Sequence, residues 1–235
     1  MFKELQQCVR DRGPAPIVTW VSDIGRIELS AITFNNAISK ASNFLVDGLE
    51  LEEDATVSVS LGNHWQSSVW FGVALATGLT IVENDPAITL GANAAAQTWQ
   101  GSPDEFVVVS RDPFGMPDRD VPEGFVNGSA EVRNFGDFFS PRWSISPDHN
   151  AVAIGSGELT WTQLVQRAQE LADANELKPG QSYGLYGSSD LITTIAFQVV
   201  LPVVFGHSVV LIDQANPDLD AIKKQEKLEQ IVLLG

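Results

Sequence analysis

The residues best suited to chemistry or ligand binding form three short groups, each where a predicted strand gives way to a predicted helix. The groups are Asn63 and His64, then Gly155, Ser156 and Gly157, and lastly Ser188, Ser189 and Asp190. Ligand sites in α/β proteins tend to lie at such points, because the first backbone N–H groups of a helix have no partner within the helix. We therefore expect the first and third groups to line a ligand cleft.

The glycine-rich group has two of the three glycines of a dinucleotide-binding fingerprint, which follows a strand and opens a helix. Gly155 and Gly157 occupy the first two places, but Thr160 stands where the third glycine belongs. A plain turn is therefore the favoured interpretation.

The polar residues of the other two groups have structural interpretations as well as chemical ones. His64 could bind a carboxylate or act as a base, but a surface histidine beside Asn63 as helix cap is favoured. Ser188, Ser189 and Asp190 are interpreted as helix-capping residues. A serine nucleophile would need a histidine partner, and none stands at a recognisable position. We predict no catalytic residue.

Two aspartates, Asp85 and Asp213, end strands at matching points of the two halves of the chain. Together they could bind a cation, although hydrated turn carboxylates are commoner. No cluster of cysteine and histidine has metal-ligand spacing, so we predict no metal site.

The charge balance excludes several classes of partner. Thirty acidic and fourteen basic side chains give a formal net charge of −16. Such a chain repels phosphate backbones and anionic lipid headgroups, so we expect neither nucleic acid nor membrane as a partner. No lysine or arginine lies between Lys40 and Arg111. A nucleotide bound there would depend on helix termini and backbone N–H groups.

Targeting signals and cysteine use favour a soluble cytoplasmic protein. Residues 1–12 are charged and precede no apolar run typical of a signal peptide. The most apolar run, residues 195–205, is too short to cross a bilayer and contains Pro202. The single Cys8 cannot form an intrachain disulfide.

Hydrophobic periodicity predicts alternating strands and helices. Strands are predicted over residues 17–22, 26–29, 57–61, 79–82, 106–110, 152–154, 183–186, 208–213 and 231–234. Helices are predicted after the caps Ser30 and Thr160 and over residues 65–77, 88–99, 191–204 and 216–230, with a short one near 129–135. This order predicts an α/β fold of two similar βα lobes, with mostly parallel sheets covered by helices.

The predicted domain organisation follows from an internal similarity between the two halves of the sequence. Glu28-Leu29-Ser30 precedes a helix in the first half as Glu158-Leu159-Thr160 does in the second. This similarity has two possible explanations, a true duplication or the general likeness of α/β units. We predict a first lobe over residues 1–111, an irregular connection over 112–150 and a second lobe over 151–235, packed as one compact unit.

Several segments resemble the amino-terminal part of acyl-CoA synthetases and other adenylate-forming enzymes. The similar segments are 28–30 with its helix, 51–59, 63–85, 177–181 and 209–229, so that most of the chain is covered except 112–145. The short length most resembles a group of small actinobacterial proteins known by their likeness to acyl-CoA synthetases. The resemblance implies the fold of the amino-terminal domain of these enzymes.

The resemblance also indicates what is missing for catalysis. The family holds ATP phosphates with a Ser/Thr/Gly-rich loop that contains a lysine. The corresponding place is Gly155, Ser156 and Gly157, a shortened loop without lysine that is followed by Glu158. The family's later motifs and mobile carboxy-terminal domain would lie beyond Gly235, so the resemblance implies a degenerate, truncated relative.

Two functions remain open from the sequence. The favoured one is a non-catalytic relative that needs no cofactor and binds a small molecule or a protein partner at the junction of the lobes. The alternative is a minimal acyl-adenylate-forming ligase or nucleotide-binding enzyme that binds ATP or AMP and is completed by a second polypeptide.

Overall fold

The computed structural model describes residues 1–53, 55–155 and 157–235, and within them two β-sheets are covered by helices. The strands are β1 (Pro16–Ser22), β2 (Gly25–Ser30), β3 (Thr56–Ser60), β4 (Thr80–Val82), β5 (Ile88–Gly91), β6 (Phe106–Val108), β7 (Val126–Asn127), β8 (Asn150–Ile154), β9 (Gly157–Thr160), β10 (Ser182–Gly187), β11 (Ser208–Asp213) and β12 (Gln230–Leu234).

The α-helices are α1 (Phe2–Arg12), α2 (Ala31–Asn43), α3 (Trp65–Thr77), α4 (Asn93–Ala96), α5 (Gly128–Glu131), α6 (Trp161–Ala174), α7 (Leu191–Ile195), α8 (Leu201–Val204) and α9 (Leu219–Gln225). A π-helical turn, Phe44–Gly48, extends α2, and another, Ala196–Val200, joins α7 to α8. Short 3₁₀ turns cover Pro103–Glu105 and Val132–Asn134.

Both sheets are mostly parallel, which confirms the predicted α/β fold. The five-stranded sheet has the order β12-β10-β11-β1-β2, and the seven-stranded sheet has the order β7-β6-β5-β3-β4-β8-β9. The antiparallel pairs are the two hairpins, β1 with β2 and β8 with β9. Helices join β3 to β4, β5 to β6 and β10 to β11, which is the kind of crossover that parallel pairing requires.

Each sheet takes a hairpin from the other half of the chain. The first hairpin joins the five-stranded sheet because β1 pairs in parallel with β11. The second hairpin joins the seven-stranded sheet because β8 pairs with β4. Strand pairing therefore crosses the boundaries predicted at residues 111 and 151, and the predicted lobes interlock. The division into domains stays a prediction.

The internal similarity of the sequence is also present in the order of the strands. The order β5-β3-β4-β8-β9 in one sheet repeats the order β12-β10-β11-β1-β2 in the other. Each hairpin also has a register irregularity near its start, between Pro16 and Val18 and between Asn150 and Val152. The two halves therefore share local construction as well as strand order.

Helix starts agree with the predicted caps in two places. The Ser30 side chain accepts a hydrogen bond from the Thr33 backbone N–H at the start of α2. At the start of α6, Thr160 and Gln163 form a reciprocal capping box. Such caps satisfy backbone donors that have no partner within the helix.

Helix α3 forms the centre of the core. Every one of its residues is buried, and Gly78 ends it in the left-handed conformation at φ 80°. A Cβ on Gly72 would lie 2.5 Å from Ile38 Cδ1, so glycine allows α2 to approach α3 closely. One continuous hydrophobic cluster includes α3 and residues from both sheets.

The structure differs from the predicted elements at residues 88–99 and at the amino terminus. Residues 88–99 are a buried strand, β5, followed by the four-residue helix α4, so the prediction of a single helix is wrong. Pairing with β3 and β6 on either side selects the strand. The amino-terminal helix α1 was not predicted, although Leu5 and Cys8 are buried on one of its faces.

The irregular connection packs against the body of the protein. It contains β7, which pairs with β6, and the predicted short helix, observed as α5 and the following 3₁₀ turn. Phe139 is buried, and Trp143 Nε1 donates a hydrogen bond to the Thr77 carbonyl at 2.8 Å. Among the helices of the described ranges, none has the length and apolar composition needed to cross a membrane.

Candidate ligand-binding site

A cavity of about 370 Å³ lies where the two sheets meet. Strands β3, β10 and β12 reach it with their carboxyl ends, and helices α3 and α7 reach it with residues near their amino ends. Its polar lining consists of Ser58, Ser60, Asn63, Ser67, Glu83, Ser188, Ser189, Thr194 and Gln198. We call this space the junction cavity.

Glycine at position 187 lets β10 end close to the edge strand β12. Gly187 has φ 103°, in the region that favours glycine, and it is paired in register with Leu234. A Cβ at position 187 would lie 2.2 Å from the Leu234 carbonyl oxygen. Both residues line the junction cavity, so this close approach shapes one of its walls.

Asn63 joins the two sheets at the cavity. It follows β3 in the seven-stranded sheet, but its side-chain amide donates to the Ile212 carbonyl at 2.9 Å and to the Leu185 carbonyl at 3.4 Å in the five-stranded sheet. Gln198 Nε2 donates to Asn63 Oδ1 at 3.3 Å. Asn63 therefore lies in the lining of the cavity, and the prediction that it caps α3 is wrong.

Further hydrogen bonds hold the helix side of the cavity. The Ser68 hydroxyl donates to Gln198 Oε1 at 3.2 Å, which connects α3 with the π-helical turn after α7. Ser189 and Thr194 share a hydrogen bond at 3.2 Å. In contrast, Ser60, Glu83 and Ser188 form no side-chain hydrogen bond with any other described residue, which leaves these groups available to a ligand.

The residue that caps α3 is His64, whose Nδ1 accepts a hydrogen bond from the Gln66 backbone N–H at 3.2 Å. The predicted surface position is wrong, because the residue is fully buried. Its ring lies against Trp20 and Trp65, with centroid distances of 4.6 and 5.6 Å. Burial, followed by the charge of Arg111, lowers the pKa of His64 to about 3.

His64 is therefore neutral near neutral pH and is absent from the lining of the junction cavity. Nδ1 accepts a hydrogen bond, so the proton of the neutral ring is on Nε2. This atom has no hydrogen-bond partner within the described parts of the chain.

Asp190 also lies outside the lining of the cavity and caps α7. Its carboxylate accepts hydrogen bonds from the Thr193 backbone N–H at 2.9 Å and from the Thr193 hydroxyl at 2.7 Å. Although burial acts in the opposite direction, these hydrogen bonds lower its pKa. Capping, the favoured prediction for this residue, is its observed role.

The two strand-ending aspartates are in different environments. Asp213 accepts hydrogen bonds from Arg111 at 2.8 Å and from Trp20 Nε1 at 3.1 Å. Asp85 is exposed in a turn with φ 50°. No group of three or more potential metal ligands occurs in the described ranges.

The position of the predicted phosphate loop is the turn of the β8–β9 hairpin. Gly155 and Gly157 are exposed, and a Cβ at either position would meet no atom within 4 Å. Ser156 lies outside the described residues. Glu158 accepts a hydrogen bond from the Asn150 side chain at 2.6 Å. Neither glycine lines the junction cavity.

The electrostatics of the cavity do not suit a polyphosphate. Its lining includes the carboxylate of Glu83, and no lysine or arginine occurs among its described residues. The guanidinium of Arg111 is nearby, since its Nη1 lies 3.8 Å from the position of a Cβ on Gly62 in the lining. However, this charge is paired with Asp213 at 2.8 Å. The residues present do not fit the triphosphate of ATP.

The sequence did not single out several cavity residues. Ser60, Ser67, Glu83, Thr194 and Gln198 lie within strands, helices or turns, where their types are unremarkable. The alternation of serine with valine in β3 was a usable signal, because it places Ser58 and Ser60 on the same face. The convergence of α3 with α7 gave no comparable signal.

A second cavity, of about 260 Å³, lies below the connection and is lined mainly by apolar residues such as Leu75, Trp143, Ile145 and Trp161. We place the candidate site at the junction cavity instead, because strand ends from both sheets converge there with unpaired polar groups.

Comparisons with known proteins agree with the resemblance predicted from the sequence. No family model matches the chain. A TIGR03089 family protein from Mycobacterium tuberculosis is 28% identical over 232 residues, covering 92% of this chain and 89% of that protein. The mycobacterial source is consistent with the predicted actinobacterial group.

Solved structures identify the fold. An acyl-CoA synthetase from Brucella canis has a TM-score of 0.80 at 12% identity, covering 98% of this chain and 47% of its own. Acetoacetyl-CoA synthetase from Streptomyces lividans has a TM-score of 0.77 at 13% identity, covering 98% of this chain and 42% of its own. A long-chain-fatty-acid-CoA ligase from Archaeoglobus fulgidus has a TM-score of 0.72 at 14% identity, covering 95% of this chain and 49% of its own.

The chain spans about half the length of these structures. All three structures match nearly the whole of this chain with TM-scores above 0.7. The chain therefore has the fold of the amino-terminal domain of acyl-CoA synthetases.

Proposed function

We propose that this chain uses the acyl-CoA synthetase fold to bind a small molecule at the junction cavity and does not form an acyl-adenylate. The observation that carries the proposal is the lining of that cavity. It combines hydroxyl and amide groups with the carboxylate of Glu83, and no lysine or arginine belongs to the described lining.

Electrostatics support the absence of adenylation. Phosphoryl and nucleotidyl transfer depend mainly on cations or preorganised donors that stabilise charge on the transferring group. The residue that follows the glycines of the hairpin turn is Glu158, an acid. The Arg111 guanidinium, which lies near the cavity at Gly62, is paired with Asp213. Repulsion of phosphate therefore outweighs the attraction of backbone N–H groups.

The same lining supports a class of ligand. Ser60 and Ser188 offer hydroxyls without partners among the described residues, and Glu83 favours a neutral or cationic molecule over an anion. Phe71, Leu191 and Leu234 supply apolar contact area. The volume, about 370 Å³, is within the usual range for small-molecule sites of about 300–1,000 Å³. A recessed space of this kind favours a small molecule over a protein partner.

The proposal is tested by ligand-induced stabilisation. A panel of neutral polyols, amides and primary amines is screened at about 10 mM, where a site with a Kd of about 1 mM stabilises the fold by about 1.4 kcal/mol. We expect at least one compound to raise the Tm of the wild-type chain. Ser188→Trp, which fills the rim of the cavity, should abolish the shift.

The matched control is Ser102→Trp, which adds an indole at an exposed position outside the junction cavity and should keep the shift. Equal shifts in both variants would place the ligand elsewhere. Saturable ATP–pyrophosphate exchange stimulated by a carboxylic acid would instead support the minimal ligase completed by a second polypeptide, and would contradict the proposal.

A further inference from the structure

A separate cavity of about 210 Å³ lies on another face of α3. Ser67 and Phe71 of this helix line the junction cavity, whereas Trp65, Val69 and Trp70 line this one. The opposite walls come from α2 and from the connection, which contributes Phe114 and Arg133. We call this space the tryptophan cavity.

The charge of the tryptophan cavity is opposite to that of the rest of the molecule. Its lining contains Lys40 and Arg133 and, within the described residues, no aspartate or glutamate. Neither cation forms an ion pair with a described carboxylate, although the chain carries a formal charge of −16. Two uncompensated cations beside apolar walls favour an anion with an apolar part.

A buried hydrogen-bond donor also favours an anion in this cavity. Trp70 lines the cavity and is only 2% exposed, and its indole Nε1 has no hydrogen-bond partner in the described parts of the chain. A buried N–H without an acceptor is unfavourable, so each such group calls for an explanation. An anionic oxygen in the cavity would supply the acceptor.

The wall formed by the connection is held in place by several hydrogen bonds. Asp112 accepts from the backbone N–H groups of Phe114 at 2.8 Å and Met116 at 3.1 Å. Trp65 Nε1 donates to the Pro113 carbonyl at 3.1 Å, and Arg133 donates to the Gly115 carbonyl at 3.2 Å. The cavity is therefore bounded by a fixed loop.

From this geometry we infer a second binding site, specific for a small carboxylate with a flat apolar group. The carboxylate lies between Lys40 and Arg133, and the apolar group packs against Trp65, Val69 and Trp70. Lys40 Nζ donates to the Phe135 carbonyl at 3.1 Å, which positions its ammonium and leaves its other two protons for the ligand. The site is independent of the function proposed for the junction cavity.

The test uses benzoate as the probe and benzamide as its neutral counterpart. In ¹⁵N-labelled protein, the indole signal of Trp70, identified by its loss in Trp70→Phe, should shift as benzoate is added. Benzamide should cause no shift at the same concentration. Removing one cation by Lys40→Gln or Arg133→Gln should raise the Kd for benzoate about tenfold, as expected for a charge-assisted hydrogen bond.

Two controls separate binding from folding. Arg133→Lys keeps the charge and should retain affinity to within about threefold. Lys223→Gln removes a charge from the exposed face of α9 and should leave the Kd unchanged. The inference is overturned if the Trp70 signal does not respond, if benzamide binds equally well, or if both charge-removing variants keep the wild-type affinity.

Discussion

At the scale of single residues, His64 shows how one side chain combines two roles that the sequence presented separately. Its type suggested a base or a surface cap, and the structure makes it a buried cap between two tryptophans. The sequence could predict capping, because Asn63 and His64 stand directly before an apolar helix. It could not predict burial, because Trp20 comes from a strand more than forty positions earlier.

Because His64 is buried without charge, stability should depend on pH. Its pKa is about 3 in the folded chain and about 6.5 when unfolded, so below neutral pH the unfolded state binds more protons. Folding stability is therefore lost as the pH falls through the unfolded value towards 3. Between about pH 7 and about pH 5, wild type should lose about 2 kcal/mol more than His64→Asn, as measured by chemical denaturation.

The asparagine in this variant retains a capping oxygen, so the comparison isolates the titration. Val69→Ala weakens the same region and keeps the histidine, and its stability should fall with pH as steeply as that of wild type. If His64→Asn follows wild type in parallel over this pH interval, His64 is not the group responsible.

At the scale of elements, local signals identified most strands and helices but not their pairing. Ser30 and Thr160 cap helices as predicted, and the strands predicted over residues 17–22 and 26–29 form the first hairpin. The error at residues 88–99 arose because a short apolar run is compatible with either a strand or a helix until the strands that pair with it are known. Strand β5 pairs with β3 and β6, and the sequence of residues 88–99 alone does not indicate this pairing.

The end of β10 gives a test at this scale. Gly187→Ala should destabilise the chain by about 2 kcal/mol or more, because it combines a positive φ with a clash against the Leu234 carbonyl. Gly180→Ala has a similar positive φ but open space around its Cβ, and should cost about 1 kcal/mol. Equal losses in urea denaturation would mean that the approach of β10 to β12 is looser than described.

At the scale of the whole molecule, the exchanged hairpins hold the two sheets beside each other, and the polar junction lies between them. Each sheet is completed by strands from the other half, so the two sheets are fixed side by side. Asn63 then bridges them by hydrogen bonds to Leu185 and Ile212. The sequence suggested five residues for a cleft between two lobes; Asn63, Ser188 and Ser189 lie in the lining of the junction cavity, whereas His64 and Asp190 do not. The exchange itself is a long-range pairing with no local signal.

The distribution of charge over the molecule determines the proposed function. The fold is that of enzymes described as acyl-CoA synthetases, yet the described lining of the junction cavity has an acid and no base. Two cations that line a different cavity, Lys40 and Arg133, lie on another face of α3. The proposed function therefore requires that the junction cavity cannot hold a triphosphate.

The most direct test is a thermal-shift titration of the intact chain with magnesium and ATP up to about 10 mM. A site with a Kd of about 1 mM would raise the Tm by about 3 to 6 °C at this concentration, given the size of the chain. We predict a shift no larger than that produced by sodium sulfate at equal ionic strength. A saturable rise of several degrees with ATP, abolished by Ser188→Trp but kept in Ser102→Trp, would contradict the account.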